Sequence, residues 1–71
     1  MSIEFLLVTY PADGINVLAD GDIVGVTNHM LMLPSDAYDI SLSDVAAKPS
    51  SQQVVLAGTS AVRPRVLVFT Q

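Results

Sequence analysis

Hydrophobic and polar positions along the chain fall into short apolar stretches separated by glycine, proline and small polar residues. The most organised stretch is Val17-Leu18-Ala19-Asp20-Gly21-Asp22-Ile23-Val24-Gly25-Val26-Thr27, where apolar residues flank an Asp-Gly pair. This is the strongest short-range hairpin signal, because a two-residue type I′ turn needs positive φ at both central residues. Gly21 takes that conformation freely, and Asp20 tolerates it better than most residues. The turn predicts that Ala19 pairs with Asp22, Leu18 with Ile23 and Val17 with Val24. Ile15, Val17, Val24 and Val26 then share the core face, with Asn16, Leu18, Ile23 and Gly25 on the other.

The remaining pattern is of the same kind. Residues 3–10 form a run of β-branched, aromatic and leucine residues with one charge, Glu4, and read as a strand largely covered on both faces. Pro11-Ala12-Asp13-Gly14 ends it. Met30-Leu31-Met32-Leu33 is ambiguous between strand and helix by periodicity alone, but Pro34 leaves a helix no room. Residues 37–43 alternate, with Tyr38, Ile40 and Leu42 on one side and Ala37, Asp39 and Ser41 on the other, as in a half-buried antiparallel strand. Residues 44–53 read as a polar loop, with room for one helical turn at Asp44-Val45-Ala46-Ala47. Val54-Val55-Leu56-Ala57 and residues 65–70 are the last two strands, and Pro64 places the final one at a strand start or sheet edge. The expected fold is all-β, a small antiparallel β-sandwich of six or seven short strands in a single domain spanning residues 1–71.

Val17-x-Ala19-Asp20-Gly21-x-x-x-Gly25-x-Thr27 resembles the central signature of PEGA domains, in which an Asp-Gly or related turn follows a strand and a glycine comes four residues on. The preceding turn, Pro11-Ala12-Asp13-Gly14, is similar too, and Leu31, Leu33 and Tyr38-x-Ile40-x-Leu42 resemble the next two strands of the family. The likeness covers residues 8–42. It departs from the family at Asn28, where proline is usual, at Ala37, which replaces a glycine before Tyr38, and after Leu42, where a Gly-Tyr pair is missing. The turn at Pro11 is one residue longer. The resemblance implies a compact antiparallel β-sandwich that serves as a non-catalytic module, commonly in surface or envelope proteins. It carries no catalytic residues over.

Composition sharpens the picture in one respect. Half of the 71 residues are hydrophobic and only 14 % are charged, against about 25 % in an average domain. A domain this small buries only roughly 60 % of its unfolded surface, so part of that apolar content must face outward, toward a partner or another copy. No cysteine is present, so neither a disulfide nor a thiolate metal site is available. The net charge of −4 argues against phosphate-directed nucleic-acid binding and against anionic membranes. No apolar run has the length of a membrane helix and no signal-peptide pattern opens the chain, so a cytoplasmic protein is expected unless the chain is excised from a longer exported one. All seven acids precede Val45 and all three bases follow it. Ordinary solvated surface accounts for this, and the sharper reading is that the basic C-terminal part docks on an acidic patch.

Candidate chemistry is sparse. His29 is the only histidine, no Gly-x-Ser-x-Gly surrounds a serine, and neither a P-loop nor Gly-x-Gly-x-x-Gly is present, so no catalytic or cofactor-binding residues are assigned. Asp13, Asp20 and Asp22 are too few and too divergent for calcium, and turn chemistry explains them. Tyr10 and Tyr38 suit strand-end packing, with a carbohydrate platform as the alternative. Met30 and Met32 share a face, read as core packing before an adaptable contact surface. The residues singled out are Asp20, Gly21, Gly25 and Thr27 for the hairpin, and Arg63, Arg65, Leu67 and Phe69 for an interaction edge on the last strand. The expectation is a non-catalytic structural or protein-interaction module that binds a protein partner or itself, with no cofactor, metal or nucleic acid. The alternative is a carbohydrate-binding sandwich.

Overall fold

The computed structural model describes residues 2–71. Seven strands follow in the order β1 (Ile3–Thr9), β2 (Asn16–Ala19), β3 (Asp22–Val26), β4 (Met30–Pro34), β5 (Asp36–Leu42), β6 (Ser51–Leu56) and β7 (Arg65–Val68). They lie in two sheets, ordered β4-β1-β7 and β3-β2-β5-β6, which stack as a small β-sandwich. Four of the five pairings are antiparallel, as expected. The fifth corrects the reading of a wholly antiparallel fold: β1 and β7 run parallel, from Leu6 opposite Arg65 to Thr9 opposite Val68. A parallel pair needs a long crossover, and β2 to β6 together supply it.

The core follows from alternation. The inward positions of β1, β4 and β7 are Leu6, Val8, Leu31, Leu33 and Leu67. Against them pack Val17, Ala19, Ile40, Val54 and Leu56 from the four-stranded sheet, with Tyr10, Ala47 and Phe69 closing the ends. Phe69, Leu6, Ile40 and Leu56 are the largest side chains wholly removed from water.

Within the hairpin, Asp20 and Gly21 take φ of 51° and 90°, the left-handed pair that a two-residue turn needs. Ala19 faces Asp22 and Leu18 faces Ile23. The register then shifts, so that Val17 faces Gly25 and Val24 is the extra residue of a β-bulge. The expected pairing of Val17 with Val24 is thereby corrected, and so is the side assigned to Gly25. Gly25 lies on the inward side, where a Cβ would collide with Leu31 Cδ2. The bulge brings the one residue without a side chain to the point where β4 crosses most closely.

Thr27 and Asn28 turn the chain from one sheet to the other. Thr27 is fully buried. Its hydroxyl donates to the Ala12 carbonyl (2.7 Å) and accepts the Ile15 N–H (3.2 Å), which fastens the β1–β2 connection onto the hairpin. Asn28 has φ of 63°. Its side chain accepts the Tyr10 N–H (3.1 Å) and donates to the Tyr10 carbonyl (2.9 Å). Proline, held near −65°, cannot adopt this backbone.

Between β5 and β6 the chain differs from the sequence reading in two places, and β7 ends at Val68 rather than residue 70. Asp44 organises a single turn through its Oδ1 on the Ala46 N–H (2.9 Å) and its carbonyl on the Ala47 N–H (3.1 Å), without a helix. β6 starts at Ser51 rather than Val54, because Ser51, Gln52 and Gln53 pair in register with Ser41, Ile40 and Asp39. A ladder of this sort uses the backbone and tolerates polar side chains.

Candidate interaction face

Apart from Glu4, Thr9 and Arg65, the three strands of the smaller sheet are apolar on both sides. Ile3, Phe5 and Leu7 point away from the core along β1. Beside them on β4, in register, stand Pro34, Met32 and Met30. On the other flank Val66 lies beside Leu7, and Val68 beside Thr9. Ile3, Met32 and Val68 are 52 %, 67 % and 60 % exposed, and Phe5 and Leu7 are half-buried. Thr9 is the one polar residue among these positions, and none is ionisable. The larger sheet is mixed: its outward pairs on β5 and β6 are Ala37–Val55, Asp39–Gln53 and Ser41–Ser51, and Ile23 and Val55 stand 65 % and 72 % exposed between polar neighbours. A sheet face turned to water is normally polar, and a contiguous apolar patch marks an interaction surface.

This placement corrects two expectations. β1 is packed by the other sheet on one face only, and among the described residues no strand lies over Ile3, Phe5 and Leu7. Met30 and Met32 belong to the open face, while Leu31 and Leu33 between and beside them fill the core.

The edge assigned to the last strand is also revised. β7 does lie at a sheet edge. Leu67 and Phe69, however, are 4 % and 1 % exposed and belong to the core, so Val66 and Val68 are the apolar residues that β7 offers outward. Arg63 and Arg65 are exposed at its start. The edge backbone is partly closed: Gln52 Nε2 donates to the Val68 carbonyl (2.8 Å), and Lys48 and Thr70 exchange backbone bonds (2.6 and 2.8 Å). At the opposite edge, Pro34 has no N–H to offer, and its carbonyl accepts the Tyr38 hydroxyl (2.6 Å). Both edges are blunted in ways that discourage strand addition. The face is the larger open surface.

The polar candidates are separated. Asp20 Oδ1 accepts the Asp39 N–H (2.9 Å), Asp13 bonds to Asn28 at the other side of the hairpin, and Asp22 is exposed beside the turn. Among the described residues no three His, Cys, Asp or Glu side chains gather as a metal site would need. His29 is exposed in the β3–β4 turn. Tyr38 and Tyr10 sit at opposite ends of β5: Tyr38 bonds to Pro34 just before it, and Tyr10 bonds to Asp44 just after it (2.8 Å). They do not form a platform. An open hollow of about 340 Å³ on the larger sheet is lined by Asp20, Ala37, Tyr38, Asp39, Gln53, Val54 and Val55.

Burial raises the Tyr10 hydroxyl above its ordinary value, and its bond to Asp44 adds to this. Burial also raises Tyr38, with Asp36 and Asp20 contributing. Asp44 is lowered by the Ala46 N–H and then by Tyr10.

Glu4 is the one charged side chain turned into the core. Its Oε1 accepts the Thr59 hydroxyl (2.6 Å) and N–H (2.8 Å), and its Oε2 accepts the Ser2 hydroxyl (3.0 Å). Thr59 Oγ1 in turn accepts the Phe5 N–H (2.7 Å). These bonds, the Thr59 hydroxyl first, hold the carboxyl below its ordinary range. The carboxylate fastens the β6–β7 connection to β1 through Thr59.

No protein-family model matches the chain, and no curated protein and no solved structure does either. Nothing local in the sequence joins Ile3, Phe5 and Leu7 to Val66 and Val68 as one surface. The signal that marks them is the absence of polar alternation in three strands, and those three strands make one sheet.

Proposed function

We propose that this chain is a non-catalytic protein-interaction β module, and that it works by docking the outer face of the β4-β1-β7 sheet onto protein. A place in a surface or envelope assembly, as the PEGA-like signature implies, belongs to the same proposal. The observation that carries it is the unbroken apolar face of Ile3, Phe5, Leu7, Met30, Met32, Val66 and Val68 on a domain whose other sheet interleaves Ile23 and Val55 with Asp39, Gln53, Ser41 and Ser51. Methionine suits such a surface, since its flexible thioether adapts to a partner's shape. The hollow beside Tyr38 gives weaker support to carbohydrate binding, because its single aromatic ring has its hydroxyl tied to Pro34.

Site-specific photo-cross-linking tests the proposal. A photoreactive residue at Met32 should give discrete protein adducts in cells expressing the chain, and the same residue at Val55, on the outer face of the larger sheet, should give few. Equal labelling at both positions, or none at Met32, would contradict it.

A further inference from the structure

We propose that the occupant of this face is a second copy of the chain, stacked sheet on sheet about a twofold axis along β1. The inference rests on the reading of the face as a docking surface and adds the identity of the partner. Size comes first. Strands of seven, five and four residues, about 4.8 Å apart and rising about 3.3 Å per residue, present a face of about 250 Å² in projection. With side-chain relief the accessible area is roughly 500 Å², so two copies cover on the order of 1,000 Å² together, the lower bound of a specific interface. A face of this size suits a small sheet as its partner, and the association is weak and concentration-dependent.

Charge comes second. Each copy carries −4, yet no acid points out of this face. Glu4 is turned inward, Asp22, Asp36 and Asp39 belong to the larger sheet, and Asp13, Asp20 and Asp44 lie in turns and loops. Packed sheets are about 10 Å apart, which exceeds the Debye length of about 8 Å at physiological salt, so the acids of the two larger sheets are screened from each other.

Shape and orientation come third. Long Met30 and Met32 flank β1 on one side, and short Val66 and Val68 on the other. A twofold axis along β1 sets each β4 over the other copy's β7, long side chains over short ones, with Met30 level with Val66 because both are in register with Leu7. The same axis brings the Arg63 end of β7 toward the Asp36 end of the other copy's β4. An axis across the strands would instead set Met on Met, and would carry the Arg63 end of β7 to the Val68 end of the other copy's β7, away from Asp36. Sheets stacked within about 30° of each other are the common packing.

Sedimentation of the full chain from about 1 µM to about 1 mM reads the association. The expected result is a concentration-dependent shift from monomer to dimer mass. Met32→Lys and Val66→Lys should each weaken it by about tenfold or more while leaving the thermal unfolding transition in place. Both side chains are exposed, so neither substitution threatens the fold. Because the chain has no cysteine, introduced cysteines report the geometry. With a short bis-maleimide linker, Met30→Cys mixed with Val66→Cys should join into dimers, and Val55→Cys should not. Monomer mass throughout, or joining through Val55→Cys as readily as through the face, would overturn the inference. Photo-adducts at Met32 whose mass differs from a dimer would overturn the second copy and keep the docking surface, whereas no adduct at Met32 would remove both.

Discussion

Thr27 shows how much one buried hydroxyl can hold. It bonds both Ala12 and Ile15 from a position with no access to water. Thr27→Val keeps the shape and leaves a carbonyl and an N–H without partners, so a loss of about 1–3 kcal/mol is expected in urea unfolding. Glu4 sets the response to acid. Its folded carboxyl lies below the ordinary range because Thr59 and Ser2 bond the charged form. Its contribution is therefore complete above the ordinary carboxylate value and is lost as pH falls through the folded one. Asp44 acts with the same sign. Tyr10 acts with the opposite sign: its value is raised, so its contribution is complete below the ordinary tyrosine range and is lost as pH rises through the folded value. Stability measured against pH should fall at both ends, and Glu4→Gln should flatten the acid limb. An acid limb unchanged in that variant would show that the Glu4–Thr59 contact does not hold the fold.

At the scale of elements, the β2–β3 hairpin joins a local rule to a distant one. Gly21→Val places a β-branched residue at φ of 90° and should cost at least about 1 kcal/mol. Gly25→Ala should cost about 1–3 kcal/mol because the new methyl meets Leu31. The cost should shrink when Leu31→Val is present as well, a coupling that a double-mutant cycle measures. Equal costs in both backgrounds would mean that Gly25 is required for some reason other than this approach. The contrast explains what could be read from the chain alone. The Asp20-Gly21 turn is legible because its conformational demand is met within two residues. The bulge is not, since whether Val24 or Gly25 faces Val17 is settled by Leu31, which arrives from the other sheet. The pairing of β1 with β7 is illegible for the same reason, as no local pattern says that the first and last strands are neighbours. Val66-Leu67-Val68-Phe69 is apolar at every position, so alternation cannot say that Leu67 and Phe69 are the inward pair. Met30 and Met32 posed the same problem on β4. In each case the ambiguity arose from strands with no polar side, and that property proves to define the surface.

For the whole molecule, the asymmetry between its two outer faces is the central fact. One sheet mixes Asp39, Ser41, Ser51 and Gln53 with Ile23, Ala37 and Val55, and the other presents Ile, Phe, Leu, Met and Val with Thr9 at one end. A domain of 71 residues has few apolar side chains to spare from its core, and placing seven of them outward gives up stability that the fold could use. A partner that removes them from water restores it, so the apparent melting temperature should rise with protein concentration for the wild type and not for Met32→Lys. Peroxide oxidation of Met30 and Met32, read by peptide mass spectrometry, tests the claim most directly, because it needs no substitution and reports from the face itself. Both thioethers should oxidise several-fold more slowly in intact cells or concentrated protein than in dilute purified protein. Equal rates in all three settings would contradict the claim that this face is covered when the protein works.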